Sequence, residues 1–470
     1  MVYGELCLRD LLELIVQKGL KAGASFCEAR FFEERAKYIS VENGVAKSMS
    51  SGILHGVGVR VIVNGKWGFA STNVSTKISV ERVLCDAIGG AKSISAQKGE
   101  EAEIVDQKPV VETVVHEVKL NPDDVSEEEK VKRMLEIEKA SRTYSEKVKD
   151  TFVSYREVLS KIMVHNSFGT LVEETTPRIM VYCNVISKEG TNMQSGFESK
   201  GNVAGYELVE TIEIEKFSLK AAETAVKLLD ASPPPRGTFT VVVDPDVGGL
   251  FVHEAFGHNS EGDLVFGGQS IIADKMGQKV ASDLVTIWDD PTIHKNGHFV
   301  YDHEGTKAEP HLIVNKGILV GYLHSLESAA KLGGKPQGSA RAQNHHSSPI
   351  IRMSNTYFAA GDMSLEEVLE DVKTGVFLSG SQYGYVETQK GQFTCKAEQG
   401  WLIRNGELSE HLRDVAINGL TLDALKNVSA VSNEVRIEMP GMCGKSGQSM
   451  YVDAGAPYMR FEGIVVGGRR

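Results

Sequence analysis

The run Ser232-Pro233-Pro234-Pro235-Arg236-Gly237 is the feature that most limits how this chain can fold. Consecutive prolines offer no amide hydrogens to a helix or a central strand, and each holds the residue before it extended, so no regular element crosses the run. The break predicts an amino-terminal domain over residues 1–232 and a carboxyl-terminal domain over 237–470. At roughly 150 residues per domain, a chain of 470 residues supplies a core on each side of it. Over the whole chain proline is sparse, 13 residues, while glycine reaches 47, a balance that suits many strands joined by tight turns. The expected fold class is therefore α+β, with largely antiparallel sheets, flanking helices and a carboxyl-terminal half that is mostly strand and loop.

In the first half, Leu11, Leu12, Ile15, Val16 and Leu20 recur at helical spacing. Alternating segments follow at Cys27–Phe32, Tyr38–Val41 and Val57–Phe69, the last broken by Asn64-Gly65, a hairpin signal. Ser79–Ala91 reads as a helix, and Glu100–Glu103 as an acidic connector. Ser126 with Glu129 three residues on is a capping-box pattern opening a helix to about Ser145. Strands are expected at Phe152–Val158, Lys161–His165, Thr170–Glu173 and Arg178–Val185, and a helix at Phe217–Leu229. The order helix, strands, helix occurs before and after about residue 110, so the first half reads as two related units. Past the prolines, Thr238–Val243 is a buried-type strand, and Asp244-Pro245 places a capping side chain before a proline at the first helical position. Short strands are expected at Leu312–Val314, Ile318–Tyr322, Trp401–Arg404 and Gly463–Val466, and a helix at Ser364–Val372.

Lys plus Arg number 51 against 63 Asp plus Glu, a net charge of −12, which repels phosphate backbones and anionic lipid. Direct nucleic-acid binding and a membrane partner are not expected. Asp10 and Glu13 interrupt the apolar amino-terminal segment and no basic stretch precedes it, unlike a signal peptide. No 18 apolar residues run together, and the six cysteines show no CxxC spacing, so the expected setting is a reduced cytoplasm.

The strongest chemical signal is His253-Glu254-Ala255-Phe256-Gly257-His258 on the helix after Asp244. A zinc hydrolase needs neutral imidazole ligands, a third ligand, an open position and a carboxylate able to take a proton from water. Histidines at i and i+4 lie about 40° apart on a helix, whereas i and i+5 lie about 140° apart. An ideal helix does not converge them, so a bend is expected at Gly257 before His258. Without that bend the pair reads as ordinary polar residues at a helix end.

A third ligand has to come from elsewhere, since Glu261 and Asp263 lie in a glycine-bearing loop. Cys443, in the glycine-rich Gly441-Met442-Cys443-Gly444-Lys445, is a candidate, with Lys445 expected to favour its thiolate; the alternative is a small buried hydrophobe. Gly444-Lys445-Ser446 resembles the end of a phosphate loop, but Met439 stands where the first glycine is required. Asp289, Asp290, His294, His298, Asp302, His303 and Glu304 form a dense group of potential ligands, read here as a solvated loop because Pro291 and Asn296-Gly297 break any helix. His345-His346 reads as a surface turn. Arg341 and this pair are candidates to polarise a carbonyl or bind a substrate carboxylate.

HEAFGHNSEGD (253–263), Arg341 with IIRMSNTY (350–357), GQFTCKAEQGWLIRNGEL (391–408) and MCGKSGQS followed by VGG near the end together resemble the TldD/PmbA family of metallopeptidases, specifically its TldD-type catalytic members. The resemblance spans nearly the whole chain. It implies zinc held by His253, His258 and Cys443, with Glu254 as catalytic base. It further implies peptide or unfolded polypeptide substrates and pairing with a PmbA/TldE-type non-catalytic paralogue, or a homodimer. A non-catalytic peptide-binding or assembly subunit is the alternative, and a third reading keeps the metal with a small amide as substrate.

Overall fold

Two Asn-Gly pairs shape the start of the amino-terminal sheet. Asn43 and Gly44 (φ 48° and 81°), like Asn64 and Gly65 (53° and 71°), are left-handed at both central positions, the geometry that matches the twist of a two-residue hairpin. They join strands Phe26–Glu42, Val45–Val63 and Lys66–Thr72. The segments expected at Cys27–Phe32 and Tyr38–Val41 are thus one strand, continuous through the largely charged residues 33–37. Val45–His55, which carries no apolar alternation, is also strand: it is exposed and held in register by Phe32–Glu42.

The computed structural model describes residues 7–94 and 101–468. The first six residues of the amino-terminal segment and Glu100 of the acidic connector lie outside the described residues. Val148–Asn166 pairs along Phe26–Glu42, followed by Leu171–Glu189, which pairs with both Val111–Val115 and Asn192–Asn202. One seven-stranded sheet therefore runs through strands from both sides of residue 110. Helices Leu8–Lys21 and Lys77–Ser93 bury Leu12, Ile15, Val80 and Leu84 against Ala29, Val57, Val59 and Val61. Helices Glu127–Arg142 and Ile214–Lys227 cover the Val153, Tyr155, Ile179 and Val181 region. Ser126 caps the third of these helices as expected, accepting from the Glu129 amide at 3.2 Å.

In the carboxyl-terminal half, Gly237–Val243, Met459–Gly468, Val415–Leu420, Gln392–Arg404 and Thr374–Glu387 pair each with the next, and the pairing of the last with the first closes a five-stranded ring. Closure removes free edges. A second sheet contains His311–Asn315, Ile287–Asp289, Asn355–Phe358 and Gln448–Ala456, with Gly441–Lys445 paired to the last as a hairpin. Helix Pro245–Phe251 lies between the two. Phe251 packs on Phe393 and Phe461 of the ring (centroids 4.9 and 5.2 Å) and on Phe358 of the second sheet. A Cβ on Gly248 would stand 2.6 Å from the Ala456 Cβ, and one on Gly249 2.9 Å from the Gly455 amide nitrogen. These two glycines therefore let the helix approach the strand whose hairpin partner carries Cys443. No helix among the described residues is long and apolar enough to cross a membrane.

Candidate metal centre

Asp244 starts the helix: its carboxylate accepts from the amides of Asp246 and Val247 at 3.1 and 2.9 Å, with Pro245 at the first position. From Val252 to Gly257 the backbone widens into a π-turn, then tightens to a 3-10 turn over His258–Ser260. The bend expected at Gly257 is absent; its φ and ψ, −55° and −50°, are ordinary right-handed helix. The wider turn does the work instead. With i→i+5 hydrogen bonding, residue i+5 comes round nearly above residue i, so His253 and His258 face one another, ring centroids 5.3 Å apart. Glycine is needed at 257 for space, because a Cβ there would overlap Met353 Sδ.

On the hairpin, Cys443 sits opposite Met450 and is buried. One ligand atom from each of His253, His258 and Cys443 lies within 4.8 Å of the others, and Cys443 Sγ is 3.4 Å from His258 Nε2. Burial works against a thiolate, yet the two imidazoles outweigh it and bring the Cys443 thiol down to about 4. Lys445, expected to play that part, turns elsewhere. Reciprocally, burial opposes charge on both imidazoles, but Cys443 lifts His253, and Glu261 with Cys443 lifts His258 well above the usual range. The buried thiolate thus demands adjacent positive charge, which a divalent cation between the three donors would supply. Two imidazole nitrogens and a thiolate are zinc's preferred donor types, and bonds of about 2.0–2.3 Å to a shared ion fit donor atoms this close together. His253 Nδ1, buried and without a hydrogen-bond partner, also leaves donor capacity unspent.

Two glutamates flank the triad with opposite environments. Glu254 packs where a Cβ on Gly384 would touch its Cγ, and no group among the described residues hydrogen-bonds its carboxylate. Burial raises its pKa, partly offset by His253 and His258. Glu261 is fully buried; burial acts to raise it, but Lys445 and His258 hold it below the usual carboxylate range. It accepts from His258 Nδ1 at 3.1 Å, which fixes the tautomer leaving Nε2 free toward Cys443. Lys445 Nζ, 3.2 Å from Glu261, also donates to both Asp263 oxygens at 2.7 Å and to the Ile351 carbonyl at 3.0 Å. This lysine therefore ties the cysteine segment to the histidine segment. Sequence reasoning missed the roles of Glu261 and Lys445; the one available signal was a glutamate three residues after a histidine.

The loop over 289–304 is not solvated. Asp289, Asp290, His298, Asp302, His303 and Glu304 are buried; of the seven potential ligands only His294 is exposed. Asp289 accepts from Ser354 and Thr356, and Asp302 from the amides of Glu304, Thr306 and Ala340. Glu304 pairs with Arg60 of the amino-terminal sheet at 2.8 Å, and Arg60 with Glu28 at 2.8 Å. Glu304 thereby joins the two halves of the chain, while Asp289 and Asp302 brace the carboxyl-terminal half internally. His345 is likewise buried, against Gly56, while His346 reaches Ser71 at 3.0 Å. Arg341 is buried and donates to the carbonyls of Tyr451 and Met353. None of these joins the triad.

Two imidazoles and a thiolate converging at a strand-to-helix junction, beside one free and one engaged carboxylate, define a candidate metallohydrolase centre on an α+β fold. Family models for PmbA/TldA metallopeptidase domain 1, central domain and C-terminal domain match residues 27–91, 120–229 and 236–468. A metalloprotease of Methanothermobacter thermautotrophicus is 38% identical over 461 residues, covering 98% of this chain and 97% of the relative. The zinc metalloprotease TldD homolog of Saccharolobus solfataricus is 27% identical over 456 residues, 96% of this chain and 99% of the relative. The crystal structure of TldE from Thermococcus kodakarensis superimposes with a TM-score of 0.77 over 97% of this chain and 100% of that one; at 18% identity this likeness concerns the fold. The chain belongs to the TldD/PmbA family of metallopeptidases.

Proposed function

We propose that this chain is a zinc-dependent peptidase acting on unfolded or flexible polypeptides. The observation that carries the reading is the convergence of His253, His258 and Cys443 within 4.8 Å beside Glu254, whose carboxylate has no hydrogen-bond partner among the described residues. His253, His258 and Cys443 would hold the ion, and zinc in such a site supplies a Lewis acid that polarises the scissile carbonyl and acidifies the attacking water. Glu254 is the general base. Its burial-raised pKa favours taking the proton and returning it to the leaving amine. Glu261 cannot share the task, since Lys445 and His258 hold its charge in place; a pair of carboxylates with diverging environments separates base from support. Relatives named metalloproteases along nearly their full length favour a peptide over a small amide. The likeness to TldE favours a TldE-type paralogue as partner, with a second copy of this chain as the other arrangement.

The test is metal content against cleavage of an unstructured polypeptide. The purified protein should carry about one zinc per chain, lose cleavage on chelation and regain it with added zinc, assayed alone and with a TldE-type partner. Full cleavage by metal-free protein would overturn the reading. A finer check concerns Glu261→Gln. Supporting partners of ligand histidines typically contribute 10–100-fold to metal affinity, so competition with a fluorescent chelator should show zinc held about tenfold or more less tightly, with the triad still present.

A further inference from the structure

A cavity near the triad lies where the amino-terminal sheet meets the carboxyl-terminal half. Its volume is about 110 Å³, enough for a few ordered waters or one carboxylate-bearing group. Arg156 and Arg178 line it from the sheet, and Arg341 and Tyr451 from the other side. Arg178 and Arg341 are 7% and 2% exposed, and neither has a carboxylate within ion-pairing distance among the described residues. Each donates instead to backbone carbonyls: Arg178 to Asn296 and His298 at 3.2 and 2.8 Å, Arg341 to Tyr451 at 3.1 Å and to Met353. Buried guanidinium charge without a counter-charge is costly, and native proteins ordinarily pair it.

Three carboxylates also line the cavity, and two of them are committed to hydrogen bonds. Glu174 accepts from His116 at 2.8 Å and from the amides of Val300 and Tyr301. Asp302 accepts from three amides, as described above. Glu34 stands 3.7 Å from Arg156. Meanwhile the Tyr451 hydroxyl, on a side chain only 7% exposed, has no partner, and neither does Arg341 Nε. Arg178 and Arg156 flank the Tyr451 ring at 4.9 and 5.9 Å from its centroid. An unpartnered hydroxyl on a ring flanked by two guanidiniums is a donor set for an oxyanion.

Position links this cavity to the triad. Tyr451 pairs with Met442 across the hairpin, and Cys443 is the next residue along. Successive strand residues point to opposite faces, so Tyr451 faces the cavity while Cys443 faces the imidazoles. The two sites stand back to back across one pair of strands.

We propose that this cavity binds a carboxylate of the substrate peptide through Arg156, Arg178 and the Tyr451 hydroxyl. The assignment rests on the peptidase reading for its ligand, and it makes the enzyme selective for peptides bearing a free carboxylate far enough along the chain from the cleavage point to pass round the strand pair. Both a chain terminus and an acidic side chain offer that group.

The experiment measures binding without turnover, by fluorescence anisotropy on zinc-loaded Glu254→Gln protein. Three labelled unstructured peptides are compared: one with a free C-terminal carboxylate and no acidic side chain, its C-terminal amide, and that amide with one glutamate near the end. Charge-assisted hydrogen bonds of this kind predict that at least one carboxylate peptide binds about tenfold or more tighter than the neutral amide. Preference for the free acid alone assigns the terminus, and preference for the glutamate peptide assigns the side chain. Tyr451→Phe, which removes a hydroxyl with no partner and so keeps the melting temperature, and Arg156→Gln, at the half-exposed rim, should each bring the ratio toward one. Three affinities within twofold of each other, no measurable binding, or a preference that survives both substitutions would overturn the proposal. If wild-type protein cleaves no peptide while the carboxylate preference holds, the peptidase reading fails and the binding site stands.

Discussion

Glu254→Gln should keep its zinc and its fold and lose at least about a thousandfold in peptide hydrolysis, within the range that a positioned general base contributes. The substitution is nearly isosteric, and the carboxylate it replaces makes no hydrogen bond among the described residues, so no buried donor loses its partner. It also removes a charge that burial disfavours, and the melting temperature should therefore hold or rise slightly. The necessary measurements are kcat on an unstructured peptide, zinc per chain by atomic absorption, and a thermal melt. Retained turnover with full zinc would remove Glu254 from the mechanism. Lost turnover together with lost zinc would make it a ligand or a structural support. The same variant separates an enzyme from a peptide-binding subunit, because a subunit that merely holds peptides has no turnover for the substitution to remove.

The fold was legible where local chemistry dictates geometry. Asn64-Gly65 makes its hairpin, Asp244-Pro245 opens its helix, and Ser126 caps the helix it was expected to cap. Strand length was not legible. Val45–His55 lacks alternation because neither of its faces is covered, and its strand character comes from a neighbour's register. The ring in the carboxyl-terminal half depends on Gly237–Val243 pairing with Thr374–Glu387 and Met459–Gly468, segments more than a hundred residues away, which no local pattern encodes.

The candidate site divides in the same way. Residue types with the right chemistry stand out in a sequence, so His253, Glu254, His258 and Cys443 could be singled out. The device that aligns the histidines could not, because a π-turn is set by packing: Gly257 is there to admit Met353, whose place against the helix is a tertiary fact. The same limit explains the residues of 289–304 and His345. Charged and imidazole side chains read as surface until their partners are known, and those of Glu304 and His345, Arg60 and the Gly56 strand, are more than two hundred residues away.

Cys443→Ala should lose stoichiometric zinc and, with it, measurable peptide hydrolysis. The mutant keeps two imidazoles on a single turn, and a two-ligand site with no thiolate gives up the donor that best matches zinc. Charge amplifies the effect. In the wild type the thiolate, held near 4 by the imidazoles, cancels part of the positive charge of Arg352, whose guanidinium donates to the Cys443 carbonyl at 2.5 Å, and of Arg341. Alanine removes that negative charge, so a divalent cation there would face two arginines with only Glu254 and Glu261 nearby, and Glu261 is already matched by Lys445. The fold itself should survive, because the hairpin is held by its backbone pairing and by Lys445 on Asp263, not by the sulfur. Equilibrium dialysis against zinc, with a thermal melt of the metal-free proteins beside it, tests both halves. Equal melts with zinc affinity reduced by at least about a hundredfold is the expected pair of results. Wild-type zinc affinity in the alanine variant would show that the thiol is no ligand, however close it lies to the imidazoles.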